Sequence, residues 1–347
     1  MKHIRNIILL IILFSIAFNT NAQEEFLINE KTKKEVIYKV ASIMKDKYLS
    51  AEVGEIMGQY IINQYKKGVY DSLNEVKKFC KVLTADMRFI DNDKHLYVFY
   101  SPEEAWEVKA YHKLLPDEEI QLINELYFEM DRRENFGFKK IAILEGNIGY
   151  LKLSYFTISD TTNSALLGSM QFLSNSDAII IDLRDNGGGE GNNLLMNYFL
   201  PPEKKFLVSM SCRDTSMNEK FWTLTDIPGK RMPEVDLYIL VNHRTFSAAE
   251  GLAFSFRKLN RATIIGETTK GGGHPVDILI VNGDILTQFP ICKSDEPNWE
   301  GVGIKPDVEV ASEDALITAH KIAIEEIIKR TSDIEYQDEL KSILDNL

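Results

Sequence analysis

Apolar positions fall into two textures along this chain. In residues 31–48, Val36, Ile37, Val40, Ala41, Met44 and Tyr48 recur at three- and four-residue steps, which is one face of an amphipathic helix. Residues 53–65 and 72–87 repeat the style, and Asp71-Ser72 ahead of Glu75 resembles a helix start. Residues 100–115 lack clear periodicity, and 117–133 predict a further helix. From residue 139 the texture changes. Short β-branched runs at 139–144, 148–153, 178–183, 205–210, 236–241, 262–266 and 276–281 are interleaved with helical stretches at 164–173, 192–199 and 248–259. Strands alternating with helices predict a layered α/β domain. The run 178–181 is apolar without alternation, as expected of a strand covered on both faces. A helix over 315–330 and a polar tail over 331–347 close the chain.

The first 22 residues stand apart. Lys2 and Arg5 precede an apolar run over 7–18, and Thr20 and Ala22 put small residues before Gln23. This is the pattern of a secretory signal peptide cleaved after Ala22. The run of 12 residues is shorter than the roughly 20 a spanning helix needs. The expectation is an exported protein, periplasmic or extracellular, with no stable membrane span after cleavage. The expected organisation is a signal peptide over 1–22, a helical domain over 23–98, a linker or cap with a helix over 99–135, and an α/β domain over 136–330.

Composition narrows the function classes. The length of 347 residues suits two domains, and 44% hydrophobic with 27% charged residues is ordinary for a globular protein. A net charge of -12 argues against a broad basic face, so no nucleic-acid partner is expected. Cys80, Cys212 and Cys292 allow one bridge and leave at least one thiol. No CxxC or CxH spacing points to a metal site, and neither a P-loop nor GxGxxG is present, so no metal and no cofactor is expected.

Four segments carry candidate chemistry. In 235–251 a buried strand leads through a short turn to Ser247, where a helix begins. Unpaired N–H groups at a helix start favour developing negative charge, so a serine there suits either attack on a carbonyl or simple capping. In 182–191 the sequence DLRDNGGGEG follows a buried strand, and its glycines let the backbone aim N–H groups outward, as a turn or as an anion cradle. Segments 266–275 (GETTKGGGHP) and 299–310 (WEGVGIKPDVEV) decide nothing alone.

Together and in this order, DLRDNGGG, TFSAAEG, GETTKGGG and EGVGIKPDVEV resemble the blocks of the tail-specific (C-terminal processing) serine protease family over about residues 147–312. The resemblance implies Ser247 as nucleophile. It also implies a crotonase-like (ClpP/crotonase) α/β domain of repeated ββα units, preceded by a small helical domain and without a PDZ domain. One branch of the family uses a lysine about 25 residues beyond the serine. That position is Gly272 here, and Lys270 is two residues out of register, a displacement of about 6.6 Å along an extended chain. Lys270 stays as an alternative base. The other branch resembles the tricorn core protease and bacterial relatives of interphotoreceptor retinoid-binding protein. Its histidine precedes the α/β domain and a glutamate orients it. The DNDKH stretch then implies His95 as base, and Glu300 maps to the glutamate. Lys94 stands where tricorn-like relatives carry a serine.

The implied mechanism is attack by Ser247, proton transfer through His95 and orientation of His95 by Glu300. Backbone amides of Gly188 or Gly189 and of Ala248 would receive the oxyanion. His274 and His243 are rival bases by their nearness in sequence, whereas Glu250 and Glu267 are expected to stabilise turns. The expected substrate is a peptide or protein, with C-terminal segments as one class, and the sequence is silent on oligomeric state. The second reading is a non-catalytic carrier of hydrophobic ligands of the retinoid or fatty-acid type on the same fold.

Overall fold

The computed structural model describes residues 26–295 and 299–347, so the expected leader at 1–22 lies outside the described residues. Helix α1 (Glu30–Lys47) starts at Asn29, whose Oδ1 accepts from Thr32 N at 2.9 Å. Its stripe Val36, Ile37, Val40 and Met44 is fully buried against α2 (Ala51–Lys66) and α3 (Val76–Ile90). The helices do not close this core alone. Strand β1 (Tyr97–Tyr100), just after α3, pairs antiparallel with β10 (Ile285–Pro290), which pairs with β9 (Val276–Asn282). Ile285 and Phe289 enter the same core as α1–α3. The amino-terminal unit expected over 23–98 is thus completed by a hairpin from far along the chain. Residues 99–135 form α4 (Pro102–Tyr111) and α5 (Asp117–Arg133), and Ala105 and Val108 of α4 pack on Leu286 of β10.

The main sheet has the order β12-β8-β7-β4-β3-β2. Its strands are β2 (Phe138–Leu144), β3 (Ile148–Leu153), β4 (Ala178–Asp182), β7 (Asp236–Val241), β8 (Thr263–Gly266) and β12 (Val308–Glu309). All neighbours run parallel except the β2–β3 hairpin at one edge. β4 lies in the interior of the sheet and is buried at every position. On one face Ile179, Ile181 and Ile239 pack under α6 (Asp160–Leu173), α7 (Asn192–Asn197) and α8 (Ala248–Lys258). On the other face Ile180, Tyr238 and Leu240 meet α9 (Ala315–Arg330). A third sheet, β11-β5-β6, joins β5 (Phe206–Cys212), β6 (Glu219–Trp222) and β11 (Cys292–Ser294). Cys212 and Cys292 form a disulfide across β5 and β11, and Cys80 is free and buried.

Two expectations are corrected. The sheet is not a crotonase-like series of ββα units. Its one antiparallel hairpin stands at an edge, and the runs expected to add strands at 205–210 and 276–281 leave it for separate sheets. The result is a mixed, non-repeating sheet with a helical unit. The polar tail expected over 331–347 is helix α10 (Ile334–Asn346). Tyr336, Leu340, Ile343 and Leu347 recur at three- and four-residue steps, and Leu340 is fully buried on the α9 face of the sheet.

Candidate active site

Ser247 lies at the carboxyl end of β7, where the chain turns into α8. Its backbone has φ 52° and ψ −121°. A non-glycine residue with positive φ is strained by about 1–3 kcal/mol and persists only where its surroundings fix it. Glu250 does much of this fixing. It is fully buried, and its Oε2 accepts from Ser247 N at 2.9 Å and from Gly272 N at 2.8 Å. Its Oε1 accepts from Gly271 N at 2.7 Å and from the Thr269 hydroxyl. One carboxylate therefore ties the serine turn to the glycine-rich segment. Burial raises the Glu250 pKa, and these donors oppose the rise.

The turn after β4 is stitched to the same place. Thr245 Oγ1 donates to Leu183 O at 2.9 Å and Phe246 N donates to Asn186 O at 3.0 Å. Gly188 then passes directly over the serine. A Cβ there would stand 2.8 Å from Ser247 Cβ and 2.9 Å from Phe246 O, and φ is +98°. Only glycine fits. The Gly188 N–H donates to Asn186 Oδ1 at 2.9 Å, so it is already engaged. Among the described residues the amides of Gly189 and Ala248 donate to no acceptor. Of the amides expected to receive an oxyanion, that of Gly188 is thus engaged, whereas those of Gly189 and Ala248, the chain neighbours of Gly188 and Ser247, are not.

His95 arrives from the turn between α3 and β1. Gln288 Nε2 of β10 donates to His95 O at 2.8 Å, and Arg88 Nη2 donates to Lys94 O at 2.8 Å. The imidazole lies against Phe246, the neighbour of Ser247, with ring centroids 4.6 Å apart. His95 is 3% exposed, and neither ring nitrogen has a hydrogen-bond partner among the described residues. Two carboxylates face Nδ1 at ion-pair range: Asp93 Oδ1 at 3.6 Å and Glu300 Oε2 at 3.7 Å. Burial disfavours the imidazolium, but Asp93 and Glu300 outweigh it and raise the pKa to about 9.

Glu300 is held by segment pairing. Gly301 N donates to Gly271 O at 3.2 Å, Trp299 Nε1 to Gly272 O at 3.0 Å and Gly273 N to Glu300 Oε2 at 2.6 Å. The two segments that decided nothing alone thus form one platform. His274 is brought to the same cluster, its Nδ1 2.6 Å from Asp93 Oδ2 and 3.5 Å from Glu300 Oε2. Burial opposes ionised Asp93, but His274 and His95 outweigh it and hold its pKa well below the usual carboxylate range. Lys270 is exposed, and its Nζ sits 4.3 Å from the Phe246 ring centroid. His243 pairs with Glu267 at 2.9 Å, and its side chain is 66% exposed.

Sequence reasoning missed Asp93 and Asn186, whereas Glu250 stabilises a turn as expected, holding Ser247 N and the glycine-rich segment. Asp93 had a signal, since it stands two residues before His95 in the DNDKH stretch. The joint role of Asp93, His274 and Glu300 had none, because they lie 181 and 26 residues apart along the chain.

Comparison with known proteins fits this geometry. The model of peptidase family S41 matches residues 147–310, and the model of the N-terminal domain of peptidase S41 in eukaryotic IRBP matches residues 23–128. The chain belongs to peptidase family S41. Among curated S41-like proteins, the carboxyl-terminal-processing protease of Synechocystis sp. is 27% identical over 196 residues, covering 55% of this chain and 42% of that protein. The carboxy-terminal-processing protease of Bartonella bacilliformis is 30% identical over 183 residues, covering 48% of this chain and 39% of that protein. The chain spans less than half the length of these relatives. A solved structure assigned as a peptidase from Parabacteroides merdae aligns with a TM-score of 0.58 at 17% identity, over 84% of this chain and 96% of that one. A lipoprotein from Streptococcus agalactiae aligns with a TM-score of 0.53 at 15% identity, over 87% of this chain and 99% of that one. These likenesses bear on the fold: an S41 sheet and helical unit, not a crotonase-like solenoid.

Proposed function

We propose that the protein hydrolyses peptide bonds through an acyl-enzyme on Ser247, with His95 as general base and Glu300 orienting it. The observation that carries this is the seating of the His95 ring on Phe246, beside a strained Ser247, with carboxylates behind Nδ1. Ser247 gives its proton to His95 as Oγ bonds the substrate carbonyl carbon. The negative oxygen is received by the Gly189 and Ala248 amides, each worth about 3 kcal/mol of barrier. His95 returns the proton to the leaving amine as the C–N bond breaks, and water then releases the acid by the reverse path. Asp93 shares with Glu300 the work of holding His95 and its charge.

The substrate is a peptide or protein, and carboxyl-terminal segments are the first class to test, since the named relatives are carboxyl-terminal-processing proteases. The exported location expected from the leader is supported by the Cys212–Cys292 bridge, which persists in oxidising compartments. Among the described residues no helix is long and apolar enough to cross a membrane. The test is incubation of the mature protein with a peptide library, read by mass spectrometry. Cleavage by the wild type and none by Ser247→Ala supports the reading. Saturable binding of a fatty acid or retinoid without any cleavage overturns it in favour of a carrier.

A further inference from the structure

The cluster behind His95 has more ligand atoms than a proton relay needs. Asp93, His274 and Glu300 each offer one ligand atom, and these lie within 4.8 Å of one another. His95 adds a fourth: it is 97% buried, its nitrogens lack partners, and Nδ1 faces both carboxylates. The separations matter. His95 Nδ1 to Asp93, His95 Nδ1 to Glu300 and His274 Nδ1 to Glu300 measure 3.6, 3.7 and 3.5 Å. These are too long for good hydrogen bonds. They lie close to the edge of a tetrahedron of N and O ligands about 2.1 Å from Zn²⁺, which is about 3.4 Å. Asp93 faces His95 with Oδ1 and His274 with Oδ2, and the His274–Asp93 contact, at 2.6 Å, must open by several tenths of an ångström.

We infer that Asp93, His95, His274 and Glu300 form a regulatory site for a borderline divalent cation such as Zn²⁺, and that its occupancy switches Ser247 off. Two imidazoles and two carboxylates are the donor set such ions take, and the two anionic oxygens balance the ionic charge. The consequence for catalysis follows from valence. An imidazole coordinated through Nδ1 keeps its remaining proton on Nε2, so His95 can no longer accept the proton of Ser247. Coordination also takes Glu300 away from orienting His95. The bound ion is inhibitory and adds no step to hydrolysis.

The switching part rests on the serine peptidase reading, whereas the binding part does not, and the experiment separates them. Chelator-treated mature protein is titrated with ZnCl₂ by equilibrium dialysis, and Ser247 is probed in parallel with a fluorophosphonate. The expected result is one Zn²⁺ per chain, at least tenfold slower labelling when bound, and recovery on adding chelator. His274→Ala and Asp93→Asn each weaken binding at least tenfold. Should either variant fail to fold, Co²⁺ in the wild type gives a second readout, with the intense visible bands of a four-coordinate ion expected. Absence of stoichiometric binding, unchanged affinity in folded His274→Ala, or a six-coordinate Co²⁺ spectrum overturns the site. Binding without slower labelling overturns the switch. Zn²⁺ binding in a protein that never labels, with or without metal, upholds the site and rejects the peptidase reading.

Discussion

Gly272 and His95 share a space that holds one side chain. A Cβ on Gly272 would stand 2.6 Å from His95 Cε1 and 2.1 Å from Phe246 Cε2, closer than such atoms approach. The position at which the lysine-dyad branch would place its base is here filled by the histidine ring. A side chain at position 272 and the His95 ring where it stands exclude one another. Gly272→Ala is therefore expected to displace His95, lowering peptide hydrolysis at least tenfold while costing about 1–3 kcal/mol of stability through overpacking. Steady-state kinetics and thermal unfolding check this, and full activity with unchanged Tm would contradict it.

Glu250 holds the serine turn from a fully buried position. Glu250→Gln leaves one acceptor oxygen for four donors, and its amide group must face N–H groups. Stability is expected to fall by about 1–3 kcal/mol for the buried donors left unpaired. Labelling of Ser247 is expected to slow as its φ relaxes. Denaturant unfolding and labelling rates measure both, and a stable variant that labels at the wild-type rate would sink the assignment.

The pH dependence has a definite sign. Burial opposes the charge on His95, but Asp93 and Glu300 overcome it and raise its pKa to about 9. In the proposed mechanism the neutral ring accepts the proton, so in metal-free protein Ser247 labelling is expected to rise with pH toward a midpoint near pH 9. A histidine raised in the folded state stabilises the fold fully below its unfolded value of about 6.5. That contribution is lost as pH rises through about 9. Asp93→Asn removes one carboxylate, so its labelling midpoint moves down. A midpoint at about 6.5 in both proteins would refute the role given to Asp93.

Thiol chemistry checks the bridge and the core together. Cys80 is 2% exposed, and burial pushes its pKa up to about 12. The native oxidised protein should react with no thiol reagent, the unfolded oxidised protein at one site, and the unfolded reduced protein at three. A fast-reacting thiol in the native state would show that Cys212 and Cys292 are not paired.

What was legible in the sequence was what local pattern encodes. The stripes of α1–α3 and the apolar run of β4 mark their elements, because 3.6-residue periodicity and full burial are local signals. The link from β9 and β10 to α1–α3 was not legible, since nothing local in 276–290 says that Ile285 and Phe289 fill a core begun at Val36. The same limit hid the sheet order and the apolar spacing of α10 amid its charges. At the site, Ser247, His95 and Glu300 came from ordered motifs. Engagement of Gly188 N–H by Asn186 and the placing of His274 against Asp93 depend on three-dimensional packing alone.

In the proposed mechanism Ser247 is activated from the amino-terminal unit by His95 and not by Lys270 of its own domain. Fluorophosphonate labelling of the metal-free mature protein, followed by intact-mass measurement and peptide mapping, tests this most directly. One adduct is expected, on Ser247, formed at least 100-fold more slowly in His95→Ala and at near wild-type rate in Lys270→Ala, the usual scale for loss of a general base being about 10²–10⁴. Labelling that survives His95→Ala and is lost in Lys270→Ala would contradict it.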